Sequence, residues 1–260
     1  MMLAFPQLES GAMAQMPFER AVRFRSRRNV ARDGSTVEIG DPDYEERSWQ
    51  LAFRELSDAE WLALESLFAT VEGRLQTFTF LEPGANLLGW SEKLTQTPWS
   101  VAGTALDGQA DSLGGARGSR LSAGSNAGQA LAAPSSYRYA ASAWLRTTGG
   151  GAKLRVSDNG AQVLEVDVDS TGQWKRYAVH YAASSATDQV KLELVAGAAD
   201  LEIHGPQLEA QAYASPYKVS SAQGGVFANV RFDQDALTDE ASGPGRHDTR
   251  VRLIWTPSQT

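Results

Sequence analysis

Two pairs of carboxylates stand two positions apart in this sequence, a spacing that places both members of a pair on one face of a β-strand. The pairs are Asp167 with Asp169 and Asp233 with Asp235. Such a pair has the chemistry of a hydrolytic acid and base or of a calcium ligand set. Neither pair lies in a glycine-framed loop of the EF-hand type, and no G-x-S-x-G nucleophile motif occurs. We therefore predict solvated strand faces, no enzyme activity, no metal site and no cofactor.

The overall composition excludes several other kinds of chemistry. The chain has 260 residues, no cysteine, three histidines far apart in sequence, and a net charge of -7. The absence of cysteine excludes disulfides, thiolate zinc sites and cysteine nucleophiles. An acidic balance argues against a protein that neutralises nucleic-acid phosphates, so we predict no specific nucleic-acid binding. No apolar run is long enough to span a bilayer, which predicts no membrane insertion.

The basic residues change type along the chain. Residues 84–218 hold all five lysines, whereas residues 1–83 and 219–260 use arginine alone as their basic residue. A composition that changes and then reverts predicts an inserted domain at 84–218 within a discontinuous outer domain formed by 1–83 and 219–260. The alternative is one continuous β domain with a Ser/Gly-rich loop.

The outer segments predict an α+β barrel with about six strands and one helix. Ser57 and Glu60 form a capping-box pattern, and apolar residues then recur at helical spacing, which predicts a helix over 58–72. Alternating apolar residues predict strands. These strands are Ala21–Phe24, Thr36–Ile39, Trp49–Phe53, Gln76–Leu81, Gly225–Phe232 and Arg250–Trp255.

The middle segment predicts an all-β sandwich of about eight short strands without a helix, so the fold class is mainly β. Tyr137–Leu145 alternates strictly, and Trp174–Tyr181 alternates with Tyr177 and Tyr181 on one face and Trp174 on the other. Asp158-Asn159-Gly160 is typical of a hairpin turn between two further strands.

The outer segments resemble the barrel domain of phage tail proteins of the tail-tube and distal-tail kind. The resemblance rests on "W-x-L-x-F", "LSDAEWLALESLF" and "TFTFLEP", and on "FANVRFDQD" and "RVRLIW" after the insertion. It implies a ring, usually a homohexamer, that joins the tail tube protein to tail hub or tip proteins. The implied location is the virion tail tip, after assembly in the host cytoplasm. A hub or tail-completion protein is an alternative tail position.

Both ends of the middle segment resemble the jelly-roll domains of phage tail and fibre proteins. The opening is "NLLGWSEKLTQTPWSVAG" (residues 86–103) and the ending is "IHGPQLEAQAYASPY" (residues 203–217). Jelly rolls of this kind include carbohydrate-binding modules. The resemblance thus implies a domain that binds host-surface polysaccharide or braces neighbouring tip proteins.

Sugar recognition needs flat aromatic faces together with polar groups for the hydroxyls. On that basis the candidate carbohydrate-binding residues are Trp144, Trp90, Tyr137 and Tyr139. Trp144 lies opposite Tyr137 and Tyr139 on its strand, so one of the two faces is expected at the surface. The resembling domains place core residues at the positions of Trp99 and Trp174, and Tyr177 and Tyr181 are expected in the core.

A run of arginines precedes an acidic run in the outer domain. Arginine binds carboxylates through a planar fork, which suits ion pairs within the barrel or across a subunit interface. The candidate interface residues are Arg23, Arg25, Arg27, Arg28, Asp43, Glu45 and Glu46. We therefore predict a structural virion protein with an adhesive jelly roll. The alternative is a free carbohydrate-binding protein.

Overall fold

The computed structural model is mainly β, as predicted, and describes residues 2–158, 163–182 and 187–257 apart from the side chains of residues 42 and 43. The predicted Asn159-Gly160 turn lies outside these residues. Within them, one helix, α1 (Asp58–Thr70), accompanies sixteen strands. The strands are β1 (Glu19–Val30), β2 (Thr36–Leu56), β3 (Phe78–Leu81), β4 (Ser100–Ala102), β5 (Ala105–Gln109), β6 (Gly118–Leu121), β7 (Asn126–Leu131), β8 (Arg138–Arg146), β9 (Lys153–Ser157), β10 (Val163–Asp167), β11 (Lys175–Ala182), β12 (Val190–Val195), β13 (Leu201–Glu209), β14 (Val226–Phe232), β15 (Glu240–Gly243) and β16 (Arg246–Trp255).

The chain divides into two compact units. The sandwich unit comprises Met1–Met13 and Leu81–Val226, and the sheet unit comprises Ala14–Phe80 and Phe227–Thr260. The prediction gave the first thirteen residues to the outer domain, whereas the structure places them with the sandwich. Hydrogen bonds explain the difference, because the Gln7 side chain pairs with the backbone N–H and C=O of Arg138 at 2.8 and 2.9 Å. Gly11 also closes a turn back onto Leu8.

The sheet unit is built on a six-stranded antiparallel sheet in the order β1-β2-β16-β14-β3, with β15 paired to β16. Trp49, Leu51 and Phe53 alternate inward as predicted and are buried. The Trp49 ring meets Phe80 and Phe227 edge to face, with both centroids at 5.0 Å. Such contacts add specific geometry to the apolar burial that stabilises this core.

The helix α1 begins with the predicted capping box. The Ser57 hydroxyl accepts the Glu60 backbone N–H, and the Glu60 carboxylate accepts the Ser57 N–H. Leu64 and Leu67 are buried, and Phe68 contacts Phe232 edge to face. The helix ends at Thr70, two residues before the predicted end.

The strands β1 and β2 extend well beyond the short pieces predicted from the sequence. Their antiparallel register runs from Glu19 opposite Gln50 to Val30 opposite Thr36. All twelve residues of β1 are exposed. We call the distal part of this pair, residues 22–41, the hairpin arm.

The sandwich unit contains two five-stranded antiparallel sheets, β10-β9-β12-β7-β4 and β11-β8-β13-β6-β5. Tyr139, Ala141, Ala143 and Leu145 are fully buried between them, as the alternation of β8 predicts. No described residue from 84 to 218 is helical. Four strands between Ser100 and Leu131 were not identified individually from the sequence. Across the described chain, no helix has the length and apolar character that crossing a bilayer requires.

Candidate functional site

The face of the sheet β11-β8-β13-β6-β5 that points away from the core carries the indole of Trp144. Because Tyr139 and Leu145 point inward, Trp144 points outward, and its side chain is half-buried. The register places Arg176 of β11 and His204 of β13 on either side of it. Trp144 thus lies between the side chains of Arg176 and His204 on this face.

Trp174, immediately before β11, lies on the same face. The prediction placed it in the core by resemblance, whereas the structure leaves it half-buried with the Arg146 guanidinium 4.8 Å from its ring centroid. The strand alternation explains the correction, because Tyr177 and Tyr181 take the inward positions and are buried. Trp174 and Trp144 are diagonal neighbours, a relationship that separates two residues by about 7–8 Å and their Cβ atoms by somewhat less.

Charged side chains surround the two indoles. Arg146 forms two contacts with the Glu202 carboxylate on β13. The Arg176 guanidinium donates to the Ser142 hydroxyl at 2.9 Å and to the Ser215 carbonyl. We call Trp144, Trp174, Arg146, Arg176 and Glu202 the Trp144 platform.

A segment after β13 covers the remainder of this face. Residues 210–218, the covering segment, are fastened by the buried Glu209 carboxylate, which accepts from Ser215 N at 2.9 Å and from Lys218 Nζ at 2.8 Å. The Tyr217 ring meets His204 edge to face at 5.6 Å. The open part of the face therefore ends at Trp144.

A buried polar group lies beneath the covering segment. His204 is 2% exposed, and its Nδ1 is 2.8 Å from the Ser112 hydroxyl. Burial lowers the pKa of His204, so the ring is neutral near pH 7. Within the described residues, His204 Nε2 has no hydrogen-bond partner. Sequence reasoning missed this histidine, because its isolated position shows no spacing signal.

The neighbouring Asp111 does not complete a nucleophilic triad. Its carboxylate accepts backbone N–H groups of Leu113 at 2.8 Å, Gly115 at 2.9 Å and Arg117 at 3.2 Å. The hydrogen bonds from this loop lower the pKa of Asp111 to about 2. A triad carboxylate orients the imidazole, whereas this one fixes its own loop.

The structure does not bring the other predicted sugar-binding residues to the platform. Tyr139 is buried and donates its hydroxyl to the Pro134 carbonyl at 2.7 Å, and burial raises its pKa. Tyr137 donates to the Phe5 carbonyl at 2.7 Å, and burial also raises its pKa. Tyr139 therefore belongs to the core, and Tyr137 contacts the N-terminal segment that packs on it.

Trp90 belongs to the region where the two ends of the sandwich meet. Its backbone N–H donates to the Ser221 carbonyl at 2.7 Å, and Lys93 Nζ lies 5.3 Å from its ring centroid. Its carbonyl accepts the indole N–H of Trp99, which is buried as predicted. Trp90 therefore helps to close the domain and lies apart from Trp144.

The motifs that carry the jelly-roll resemblance bind one another. The Asn86 amide nitrogen donates to the carbonyls of Pro206 at 3.0 Å and Lys218 at 3.2 Å, and its oxygen accepts from Leu208 N at 3.2 Å. The Ser91 and Tyr217 hydroxyls are 2.8 Å apart. We call this set of contacts the clasp. It holds the beginning and end of the inserted segment together.

The predicted interface residues pair mainly within the hairpin arm and at its base. Arg23 pairs with Glu46 at 3.3 Å, Arg28 with Glu38 at 3.8 Å, and Arg25 with Asp41. Glu45 pairs with Arg47 at 2.5 Å. Arg27 lies opposite Ile39 in the register. The side chain of Asp43 lies outside the described part of the structure.

The paired carboxylates lie beside cations. Asp167 contacts Lys153 at 3.4 Å and Asp169 contacts Lys175 at 3.3 Å. Asp233 and Asp235 both contact Arg74, at 3.5 and 3.6 Å. Among the residues that the structure describes, no three His, Asp or Glu side chains gather in a way that could hold a metal ion.

No protein-family model and no curated protein matches this chain. Its structural neighbours include carbohydrate-binding modules and a phage tailspike domain. One is TmCBM61 in complex with β-1,4-galactotriose, with 22% identity, coverage of 47% of this chain and 97% of that chain, and a TM-score of 0.37. A second is the CBM22-1 xylan-binding domain of Paenibacillus barcinonensis Xyn10C, with 13% identity, coverage of 50% and 96%, and a TM-score of 0.34.

The tailspike neighbour is the enzymatically active domain of bacteriophage CBA120 tailspike protein 4. It shares 15% identity over 48% of this chain and 21% of the tailspike chain, with a TM-score of 0.37. This chain therefore spans about a fifth of the tailspike domain, and about half of this chain takes part in each similarity.

Proposed function

We propose that this chain is a non-catalytic glycan-binding protein and that the Trp144 platform holds the sugar. The observation that carries the proposal is the half-buried indole of Trp144 on the open face of a five-stranded sheet. Within the described part of the chain, its indole N–H has no hydrogen-bond acceptor. An aromatic face with a free donor suits a pyranose ring, whose C–H groups stack and whose hydroxyls accept.

The charged groups beside Trp144 complement the sugar hydroxyls. Arg146 and Glu202 hold each other in place on adjacent strands and present donors and acceptors to the solvent. Because Arg146 covers the Trp174 ring, Trp144 provides the stacking face and Trp174 supports the arginine. A site assembled on strands is preorganised, which reduces the entropy lost on binding.

A glycan array probed with the purified full chain, followed by calorimetry on the strongest glycan, tests this function. We expect Trp144→Ala to weaken binding by at least about tenfold, the equivalent of roughly 1.4 kcal/mol. Tyr213→Ala is the matched control, since Tyr213 is a 76% exposed aromatic of the same unit outside the platform. Absence of binding to every glycan, or equal losses in both variants, would contradict the proposal.

We propose as a second function that the chain assembles with copies of itself, as a ring component of a long-tailed phage tail tip. The hairpin arm supports this proposal, because it exposes apolar side chains on a ribbon of two strands. Val22, Phe24, Val30, Val37 and Ile39 are each between 44 and 70% exposed. Isolated two-stranded hairpins are marginally stable, and exposed apolar patches of this kind mark interaction surfaces. The tail tube and tail hub or tip proteins are the further partners that we propose.

A further inference from the structure

The exposed face of the sheet unit carries a row of three arginines. Arg250 and Arg252 are alternate residues of β16 and lie opposite Ala52 and Gln50 of β2. Arg54 follows two residues after Ala52 on the same face of β2. Their neighbours Val251 and Leu253 point into the core, so the three guanidinium groups point into solvent.

These arginines line an open groove. A cleft of about 800 Å³ is bordered by all three, together with Gln234 and Thr238. A second cleft of about 480 Å³ shares Arg250, Arg252 and Gln234 with the first and extends to Phe18. The two clefts therefore adjoin each other along Arg250 and Arg252 and together form one groove.

The three guanidinium groups are not directly paired with a carboxylate of the described residues. No hydrogen bond or ion pair within the described residues uses the side chain of Arg54, Arg250 or Arg252. Of the carboxylates in the first cleft, Asp235 contacts Arg74 at 3.6 Å, and Asp248 accepts from Glu55 N at 2.7 Å.

We propose that this groove is a second binding site, for a polysaccharide that carries uronic-acid carboxylates. Alternate residues of a strand lie about 7 Å apart, so Arg250 and Arg252 form a row. Such a row fits anionic groups that repeat along a polymer. A single small anion would instead need several donors that point at one place. Arginine binds carboxylates through two parallel hydrogen bonds.

The rest of the groove favours a sugar polymer over nucleic acid. Glu240 lines the first cleft and Glu19 lines the second, and these acids can accept hydrogen bonds from the hydroxyl groups of a sugar. Gln234 and Thr238 add an amide and a hydroxyl for the uncharged parts of the polymer.

Calorimetry of the full chain with polygalacturonate tests the proposal, with dextran as the neutral polymer and oligo(dT) as the phosphate polymer. We expect salt-sensitive binding of polygalacturonate that Arg250→Gln with Arg252→Gln weakens by at least about tenfold. Arg32→Gln, at an exposed position in the turn of the hairpin arm, is the matched control. An unchanged melting temperature shows that the double variant remains folded.

Four results would overturn the proposal. The first is no binding of polygalacturonate, and the second is equal loss in the double variant and Arg32→Gln. The third is tighter binding of oligo(dT) at the same arginines. Trp144→Ala separates this site from the platform, because a loss in that variant alone would place the uronate on the sandwich unit and refute the groove.

Discussion

The guanidinium group of Arg146 lies 4.8 Å from the centroid of the Trp174 ring while it also contacts the carboxylate of Glu202. The three side chains come from the segment before β11, from β8 and from β13, so they link three neighbouring strands. This link fixes a polar group beside Trp144 before any ligand arrives. A variant that breaks this link can therefore measure the effect of the platform on glycan binding separately from its effect on stability.

Glu202→Gln tests the link. We expect glycan affinity to fall by about three- to tenfold, because Arg146 loses the charge that orients it. The free energy of unfolding should change by less than about 1 kcal/mol, since the pair is partly exposed and ion pairs near the surface contribute little. Glu165→Gln is the control, because Glu165 pairs with Lys153 on the opposite sheet. Equal affinity losses in the two variants would show that Glu202 has no special role.

Glu209→Gln should instead destabilise the sandwich unit. Glu209 is 1% exposed and binds Lys218 Nζ at 2.8 Å and the Gln207 amide at 2.7 Å. Removing its charge leaves a partly buried ammonium without its counter-ion, which costs about 3–5 kcal/mol in buried pairs. Urea unfolding measures the change. A loss below about 1 kcal/mol would mean that the covering segment is not fastened by this carboxylate.

The sheet unit should lose stability as the pH rises above 6.5, the ordinary pKa of histidine. His247 lies between Asp58 and Asp239, with both contacts at 2.9 Å, and these hydrogen bonds raise its pKa above the ordinary value of 6.5. A raised pKa in the folded state stabilises it fully below pH 6.5, and this stabilisation disappears as the pH rises through the raised value. His247→Gln should remove that part of the pH dependence in urea unfolding. An identical pH profile in the variant would contradict this assignment.

The hairpin arm should determine self-association. Phe24 is 70% exposed, and Phe24→Ser should convert rings into monomers in mass photometry and negative-stain microscopy, because it removes an apolar contact between copies. Leu62→Ser is the control, since Leu62 is 59% exposed on the helix α1. A monomeric wild type, or rings that persist in Phe24→Ser, would refute the proposed role of the arm.

The parts of the fold that were predictable have large side chains at regular spacing. The alternation of β8, the inward Trp49 and the capping box of Ser57 each carry a local signal that the structure reproduces. The strands between Ser100 and Leu131 carry no such local signal. They contain small residues at positions where two backbones approach each other closely. A Cβ atom at Gly118 would lie 2.2 Å from the Ala110 carbonyl oxygen, so the position selects against the apolar residue that would mark a strand.

The platform was predictable only in part. The alternation of side chains along the strands places Trp144 and Trp174 on the face opposite the buried tyrosines. The jelly-roll resemblance placed Trp174 in the core instead, and that prediction was wrong. The covering segment depends on Glu209 meeting Ser215 and Lys218 after a turn of the chain. No spacing rule relates these residues, so sequence reasoning could not tell which half of the face remains open.

The most direct test of the proposed platform is an NMR titration of the seven tryptophan indole N–H signals with the glycan that binds best. We predict the largest shift at Trp144 and a smaller one at Trp174 through Arg146, with little change at the other five. Those five are Trp49, Trp61, Trp90, Trp99 and Trp255. A saturable shift at any of them with Trp144 unmoved would contradict the account.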